Sequence, residues 1–302
     1  MAGVRLRSRG ERLFAAANSI FLLIVSILMI VPFLAILKDS LDLGGQGDLT
    51  LTFIPKEFTL LYYRVVFNDP GVYRPFVNSI GVAVVGTALA LVVNSMAAYS
   101  LSKRMLRGNK FFVYFLIIIP ILFHGGGVIA NYVWYKALGI LNTYAVLILP
   151  VLVQGFWIII IRQFYWSISY SLTESAEIDG AGEFTIFFRI IAPISKAVFA
   201  AYILFKGVSF WNTWITNILY VHDPRKALFP IKLRSMLFIG PDGEARLREM
   251  AEMLGIDMME TLISMEGLTA AIIIVGALPI FVIYPYLQKY FASGVRVGAI
   301  KG

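Results

Sequence analysis

Six stretches of this chain are continuously apolar: roughly 14–37, 77–101, 111–130, 143–162, 197–221 and 268–288. A helix needs about 20 consecutive apolar residues to cross a bilayer, so each run is long enough to span one. Each is apolar all round rather than striped, which suits a lipid-solvated bundle better than surface helices. Composition agrees. Hydrophobic residues make up 59% of the chain and charged ones 15%, where an ordinary soluble domain carries about 25% charged residues. The mean hydropathy is +0.80. The expected fold is all-α: a polytopic membrane bundle of about six transmembrane helices.

Composition also excludes several chemistries. The chain has no cysteine, hence no disulfide, thiolate nucleophile or cysteine-ligated metal. Its two histidines, His124 and His222, are far apart in sequence, which argues against a histidine metal centre. The first apolar run is longer than a signal h-region and lacks a small-residue cleavage site at its end, so no cleavable signal peptide is expected.

An even number of spans places both ends on one side. If the N-terminal side is inside, the inside segments hold fourteen basic and five acidic residues, the outside segments eleven and thirteen. The short segment 102–110 is the most informative, with Lys103, Arg104, Arg107 and Lys110 and no acid. By the positive-inside rule both termini should be cytoplasmic. The net charge of +8 therefore reads as an orientation signal rather than a nucleic-acid footprint. On this reading 1–13 is a cytoplasmic N-terminal segment, 14–302 is one membrane domain, and 163–196 is a cytoplasmic loop. Two outside segments are long. One (38–76) contains Gly44-Gly45-Gln46-Gly47; the other (222–267) contains a polar helix-like stretch from Glu244 to Met265. They are either a cap that meets an external partner or simple connections.

The 163–196 loop carries the strongest local pattern. Ser171 followed by Glu174 fits a capping box, so a helix should begin there. Glu174, Ala176 and Glu177 favour its continuation, and Gly180 and Gly182 should stop it. Such a helix, two to three turns long, is too short to be stable alone and needs a partner to pack on. Ala176 and Gly180, four apart, offer a small-residue face that a second backbone can approach.

The residues Glu174-Ser175-Ala176, three more, Gly180, nine more, then Ile190-x-Ala192-Pro193 resemble the cytoplasmic loop of permeases of binding-protein-dependent ABC importers. That family's pattern is Glu-Ala-Ala, three residues, Gly, nine residues, Ile-x-Leu-Pro. The spacing is intact here; Ser175 and Ala192 are mild departures. Glu177-Ile178-Asp179-Gly180-Ala181 is similar to the sugar-importer branch. So are Asn78-Ser79-Ile80, Thr87 and Ala97 to Ser102 in the second run, Trp211-Asn212-Thr213-Trp214 in the fifth, and Tyr284 through Phe291 to Lys301-Gly302. The resemblance covers nearly the whole chain. It points to permeases for complex or acidic oligosaccharides, alginate being one candidate.

The resemblance implies a type I ABC importer arrangement in the cytoplasmic (inner) membrane. A second homologous permease subunit, two ATP-binding subunits and an extracytoplasmic solute-binding protein would be the partners, beside membrane lipid and without nucleic acid. It further implies that Glu174, Ser175, Ala176, Asp179, Gly180 and Pro193 couple the chain to the ATPase subunits. ATP and Mg would then sit on those subunits and no cofactor on this chain. Consistently, no G-x-x-x-x-G-K-[ST] phosphate cradle occurs anywhere in the sequence. The cluster His124-Gly125-Gly126-Gly127 lacks that context and reads as a helix end or kink.

Candidate residues for a solute pathway are Lys206, Trp211, Asn212 and Trp214. A lysine near mid-membrane costs about 2.5–3.5 kcal/mol on insertion scales, so Lys206 should face protein or water. It is either a structural pair, a snorkelling side chain or a positive charge along an anionic solute's path. Trp211, Asn212 and Trp214 suit sugars, whose apolar faces stack on rings and whose hydroxyls bond amides; tryptophan near a span end is also an ordinary anchor. Asn94 and Gln154 are weaker polar candidates. An integral-membrane enzyme would need clustered acids, histidines or a nucleophile, and none is apparent. A self-sufficient secondary transporter or channel would want ionisable relays within its spans, where Lys206 is nearly alone.

Overall fold

The computed structural model describes residues 9–43, 53–103, 108–119, 126–237 and 264–299. The Gly44–Gly47 cluster, most of the 244–265 stretch, Arg104, Arg107, His124, Gly125, the first eight residues and Lys301-Gly302 lie outside the described residues. What is described is helical, and the one β-type contact is an isolated antiparallel bridge between Asp42 and Phe58. The chain divides into two compact units: residues 1–69 with 236–275, and residues 70–235 with 276–302.

The first unit begins with α1 (Arg9–Asp39). Its most apolar window has a mean hydropathy of 3.2 and none of that window is buried by the chain itself, as expected of a helix solvated by lipid or by another chain. Its end is tied down by polar groups. Lys38, buried, lies 3.3 Å from the buried Asp42 carboxylate, which also accepts a hydrogen bond from the Glu57 amide. Partial desolvation pushes the Asp42 carboxyl up, but the Glu57 and Lys56 amides and the Lys38 ammonium outweigh it and hold it below its ordinary value. Beyond the turn, α2 (Leu61–Asn68) places Tyr62 against Gly267, where an added Cβ would come within about 2.5 Å of the ring. Only glycine admits that contact.

The second unit is built on α3 (Pro70–Ser102). Next come α4 (Asn109–Val113), which continues as a π-helical turn Tyr114–Ile118, and α5 (Gly127–Ala137). The fourth apolar run divides into α6 (Ala145–Ile148), a 3₁₀ turn (Leu149–Val151) and α7 (Gly155–Ser167), with a bend of 52°. Then come α8 (Tyr170–Ile178) and α9 (Glu183–Ile186), which runs on through a π-helical turn (Phe187–Ile191) and a last turn (Ala192–Ile194). An 80° bend at Ser195 leads into α10 (Lys196–Trp211). Then follow α11 (Ile215–Tyr220), a 3₁₀ turn at Pro224–Lys226 and α12 (Phe229–Leu237). The last helix, α13 (Met265–Ala299), passes from the first unit into the second.

Three of these helices are long and apolar enough to cross a membrane by themselves; the count reaches five if each bent pair is one span. The run 111–130 includes residues outside the described set. Two expected continuous spans are therefore interrupted: 143–162 at Leu152–Gln154, and 197–221 at Asn212–Trp214. The α3 helix packs on α10 and α7 through a core that includes Ala90, Ala98, Ile158, Ile161 and Tyr202. Small residues permit the close approach. A Cβ on Gly86 would lie 2.7 Å from the Phe210 ring, and one on Gly155 would lie 2.8 Å from the Ile117 carbonyl oxygen.

Candidate functional site

The 170–193 loop begins with Ser169 in extended conformation at the N-cap of α8. Tyr170 is the first helical residue, so Ser171 falls inside the first turn and the Ser171–Glu174 capping box does not form. The Ser169 and Ser171 hydroxyls bond each other at 2.8 Å instead. The stop at the other end occurs as the glycines suggest. Gly180 has φ +79°, its amide donates to the Glu177 carbonyl, and the Ala181 amide donates to the Ala176 carbonyl. That pair of bonds closes a helix through a left-handed residue, which glycine adopts at no steric cost.

The faces of α8 are sorted differently from the small-residue expectation. Ala176 is buried in the chain's own core with Tyr99, Ile186 and Phe187, so it offers no open groove to a second backbone. Glu174, Ser175, Asp179, Gly180 and Pro193 are exposed. Between them stand large apolar side chains left open to solvent, Ile178 (81% exposed) and Phe184 (70% exposed). These two side chains and the acids beside them share one short stretch of the loop.

A set of polar contacts that the sequence did not signal individually holds this surface to the end of α3. The Tyr99 hydroxyl donates to Glu183 Oε2 at 2.6 Å. Lys103 Nζ donates to Glu183 Oε1 at 2.8 Å and to Glu177 Oε1 at 3.0 Å. Arg162 Nε donates to the Leu101 carbonyl at 2.8 Å and Trp166 Nε1 to the Ser102 carbonyl at 2.9 Å, while the guanidinium lies 4.0 Å over the Trp166 ring. These two carbonyls belong to the last turn of α3, which has no intrahelical donors for them. The sign pattern was visible beforehand, four bases in 102–110 and four acids in 174–183. The pairing was not, because it depends on where two loops meet.

The interruption at Leu152–Gln154 is the second polar centre. Asn94 is fully buried on α3. Its Nδ2 donates to the Leu152 carbonyl at 2.6 Å, the Ala90 carbonyl at 2.6 Å and Tyr202 Oη at 3.0 Å, and its Oδ1 accepts from the Gln154 amide at 2.9 Å. Lys206 Nζ on α10 donates to the Val151 carbonyl at 3.0 Å and sits 4.8 Å over the Phe210 ring. Lys206 is 3% exposed. Its ammonium is bonded to a backbone carbonyl and rests against a ring, a contact of the kind the structural alternative expects. Asn94 and Lys206 together satisfy the backbone groups that a broken span leaves open.

The remaining pathway candidates do not form one site with Lys206. Trp211 is buried against Phe76 and Phe229, with ring centroids 5.6 and 5.9 Å away. Asn212 is the exposed C-cap of α10. Trp214 lies under Arg234, whose guanidinium is 4.4 Å from the ring. Trp211 also borders a cavity of about 600 Å³ lined by Phe76, Val84, Thr87, Gly207, Leu278 and Ile283 among others. Apart from the Trp211 indole, Thr87 is the single polar side chain in that lining, and its hydroxyl is buried without a partner. One hydroxyl and one indole N–H are a poor match for a sugar, which needs donors and acceptors around its ring. Among the described residues no three His, Asp or Glu side chains converge as a metal site requires.

Comparison with known proteins adds the following. No family model matches the sequence. Protein LplC of Bacillus subtilis (strain 168) is 36% identical over 98% of this chain and 97% of that protein. The polygalacturonan/rhamnogalacturonan transport system permease protein YtcP of the same organism is 35% identical over 97% and 99%. Its arabinooligosaccharides transport system permease protein AraQ is 28% identical over 96% of each chain. Among solved structures, one chain of a bacterial ABC transporter involved in the import of the acidic polysaccharide alginate aligns with a TM-score of 0.82 at 25% identity. The alignment covers 95% of this chain and 100% of that one.

Proposed function

The chain belongs to the permease proteins of ABC carbohydrate transport systems, and from that premise we propose how it acts within one. It is the non-catalytic membrane subunit of an importer for an acidic oligosaccharide. ATP and Mg are bound by two partner ATPase subunits, and no cofactor is bound by this chain. A second permease completes the pathway across the cytoplasmic membrane, and an extracytoplasmic solute-binding protein delivers the sugar. Both termini and the 163–196 loop lie on the cytoplasmic side.

The observation that carries this reading is α8 with its exposed surface. Ile178 at its end and Phe184 in the next helix stand open beside Glu174, Asp179 and Glu183, and a short helix with such a face needs a partner to cover it. That partner is the ATPase subunit. Glu174, Ser175, Asp179 and Gly180 contact it; Ala176 seats the helix from behind. Pro193 stands exposed near the 80° bend that returns the chain to α10. Motion of the closing ATPase pair reaches the spans through this helix, and the pathway alternates between outward and inward access.

An acidic cargo is supported by two of the relatives, a polygalacturonan/rhamnogalacturonan transport permease and a chain of an alginate importer, while a third belongs to an arabinooligosaccharide system. The Lys206 ammonium is bonded to a carbonyl of the chain itself, so this reading does not lean on its charge. Trp211, Asn212 and Trp214 remain the pathway residues to be tested.

The test is reconstitution of the chain with its second permease and ATPase subunits, followed by uptake of neutral and uronate-containing oligosaccharides. ATP-dependent uptake of the acidic set is expected, together with loss of the ATPase subunits from the complex in Ile178→Glu. Uptake by the purified chain without any ATPase would overturn the reading in favour of a secondary transporter or channel.

A further inference from the structure

The coupling surface is held to α3 twice over, and the two attachments differ in kind. One is apolar: Ala176, Ile186 and Phe187 pack with Tyr99, and the Tyr99 and Phe187 ring centroids are 5.3 Å apart. The other is the network Lys103–Glu177–Glu183–Tyr99. Apolar packing supplies adhesion without direction. The network supplies direction, because each of its bonds is between 2.6 and 3.0 Å and they arrive from three elements.

Its energetics argue against a stabilising role. The Lys103 side chain is 25% exposed, that of Glu177 40% and that of Glu183 60%. Ion pairs this open to water add little to stability. Two carboxylates that add so little stability yet are spent on a single ammonium are better explained as setting a register. The site of attachment fits. Lys103 follows directly on the two α3 carbonyls clamped by Arg162 and Trp166, so it projects from a stub joined to the end of α7. Glu177 sits in the last turn of α8, and Glu183 opens α9. One cation thus ties the end of the coupling helix and the start of the next helix to the joined ends of α3 and α7.

We infer that Lys103 is a positioning residue for ATP-driven transport: a latch that makes α8 and α9 move with α3 and α7 as one body when the ATPase subunits close. The inference rests on α8 being the docking helix. Without the latch, the surface still docks but swivels on its apolar seat, and ATP is hydrolysed without moving the spans.

The experiment uses the reconstituted complex and reads three quantities: recovery of ATPase subunits, rate of ATP hydrolysis, and sugar taken up per ATP hydrolysed. Lys103→Ala is expected to keep the ATPase subunits and their hydrolysis while uptake per ATP falls by about tenfold, within the usual range of coupling between sites. Lys103→Arg, which keeps two donors for two carboxylates, restores uptake per ATP to within about twofold of the parent protein. Tyr99→Phe removes one hydroxyl, leaves the apolar seat, and gives an intermediate loss, so a result exists even if Lys103→Ala assembles poorly. An unchanged uptake per ATP in both Lys103→Ala and Tyr99→Phe overturns the latch. So does equal loss in Lys103→Ala and Lys103→Arg. If Ile178→Glu retains the ATPase subunits, the docking reading itself fails, and the two failures are told apart.

Discussion

Two lysines of this chain meet opposite surroundings. Lys206, inside the bundle, donates to a backbone carbonyl and rests over a phenylalanine ring, with no carboxylate in the contact. Lys103, at the end of α3, bonds two carboxylates while a quarter of its side chain stays open to water. At membrane depth an unpaired backbone group costs several kcal/mol because no water replaces its partner. The broken span leaves such groups at Val151, Leu152 and Gln154, and Asn94 and Lys206 are what satisfies them. Near water the same cost is small, so pairing there has little to do with solvation and more to do with geometry. One lysine is a structural part of a break; the other is a direction-setting part of a joint.

The sharpest way to break that comparison is Asn94→Leu. It strips the partners from the Leu152 carbonyl and the Gln154 amide at once. Each unpaired buried group costs about 1–3 kcal/mol, so a loss of about 4 kcal/mol is expected. Thermal unfolding of the purified complex in detergent measures it, and a loss below about 1 kcal/mol would mean that the break does not depend on its polar supports. Lys206→Met keeps the length of the side chain and removes one donor, leaving only the Val151 carbonyl unpaired. The same measurement should show a loss of about 2 kcal/mol, with the acidic-sugar preference of uptake unaltered. A switch of preference toward neutral sugars would return Lys206 to the pathway.

The smallest effect concerns the latch and pH. Burial pulls the Lys103 ammonium down, but its bonds to Glu183 and Glu177 outweigh that and raise it above its ordinary 10.5. Burial pushes the Glu183 carboxyl up, but hydrogen bonds from Lys103 and Tyr99 outweigh that and hold it below its ordinary 4.5. A raised base contributes fully below 10.5 and is lost as pH rises through its higher folded value. A lowered acid contributes above 4.5 and is lost as pH falls through its lower folded value. The latch should therefore stay charged between those limits, and uptake per ATP should be flat across neutral pH. A step in that ratio between pH 6 and 8, absent in Lys103→Ala, would show a group other than these in control.

Much of the molecule was legible in one dimension. Apolar runs longer than a bilayer is thick have few alternatives, which is why α1, α3 and α13 fall where the runs at 14–37, 77–101 and 268–288 lie. The spacing from Glu174 to Pro193 carried the resemblance to ABC importer permeases, and the relatives bear out that family. Gly180 announced its own role because a left-handed residue after a short helix is a local requirement. The start of α8 was off by a step: two serines two residues apart compete for one cap, and the choice depends on how the preceding turn enters.

What only the tertiary structure decided are the contacts between distant segments. In the run 143–162 Pro150 and Gly155 flank the break and hint at it, but its supports lie elsewhere: Asn94, about 60 residues earlier, and Lys206, about 50 later. Lys206 read alone is an expensive charge in lipid; that its ammonium meets the Val151 carbonyl is a fact of the fold. Ala176 read alone is a small residue on a short helix; which way it faces depends on where Tyr99 and Phe187 lie. Sequence by itself determined that the chain crosses a membrane and carries an importer permease's loop, because hydrophobic length and local backbone demands act within one segment. The partner of each buried or half-buried polar group was settled by packing, because a hydrogen bond is specified by position to a fraction of an ångström and position belongs to the fold.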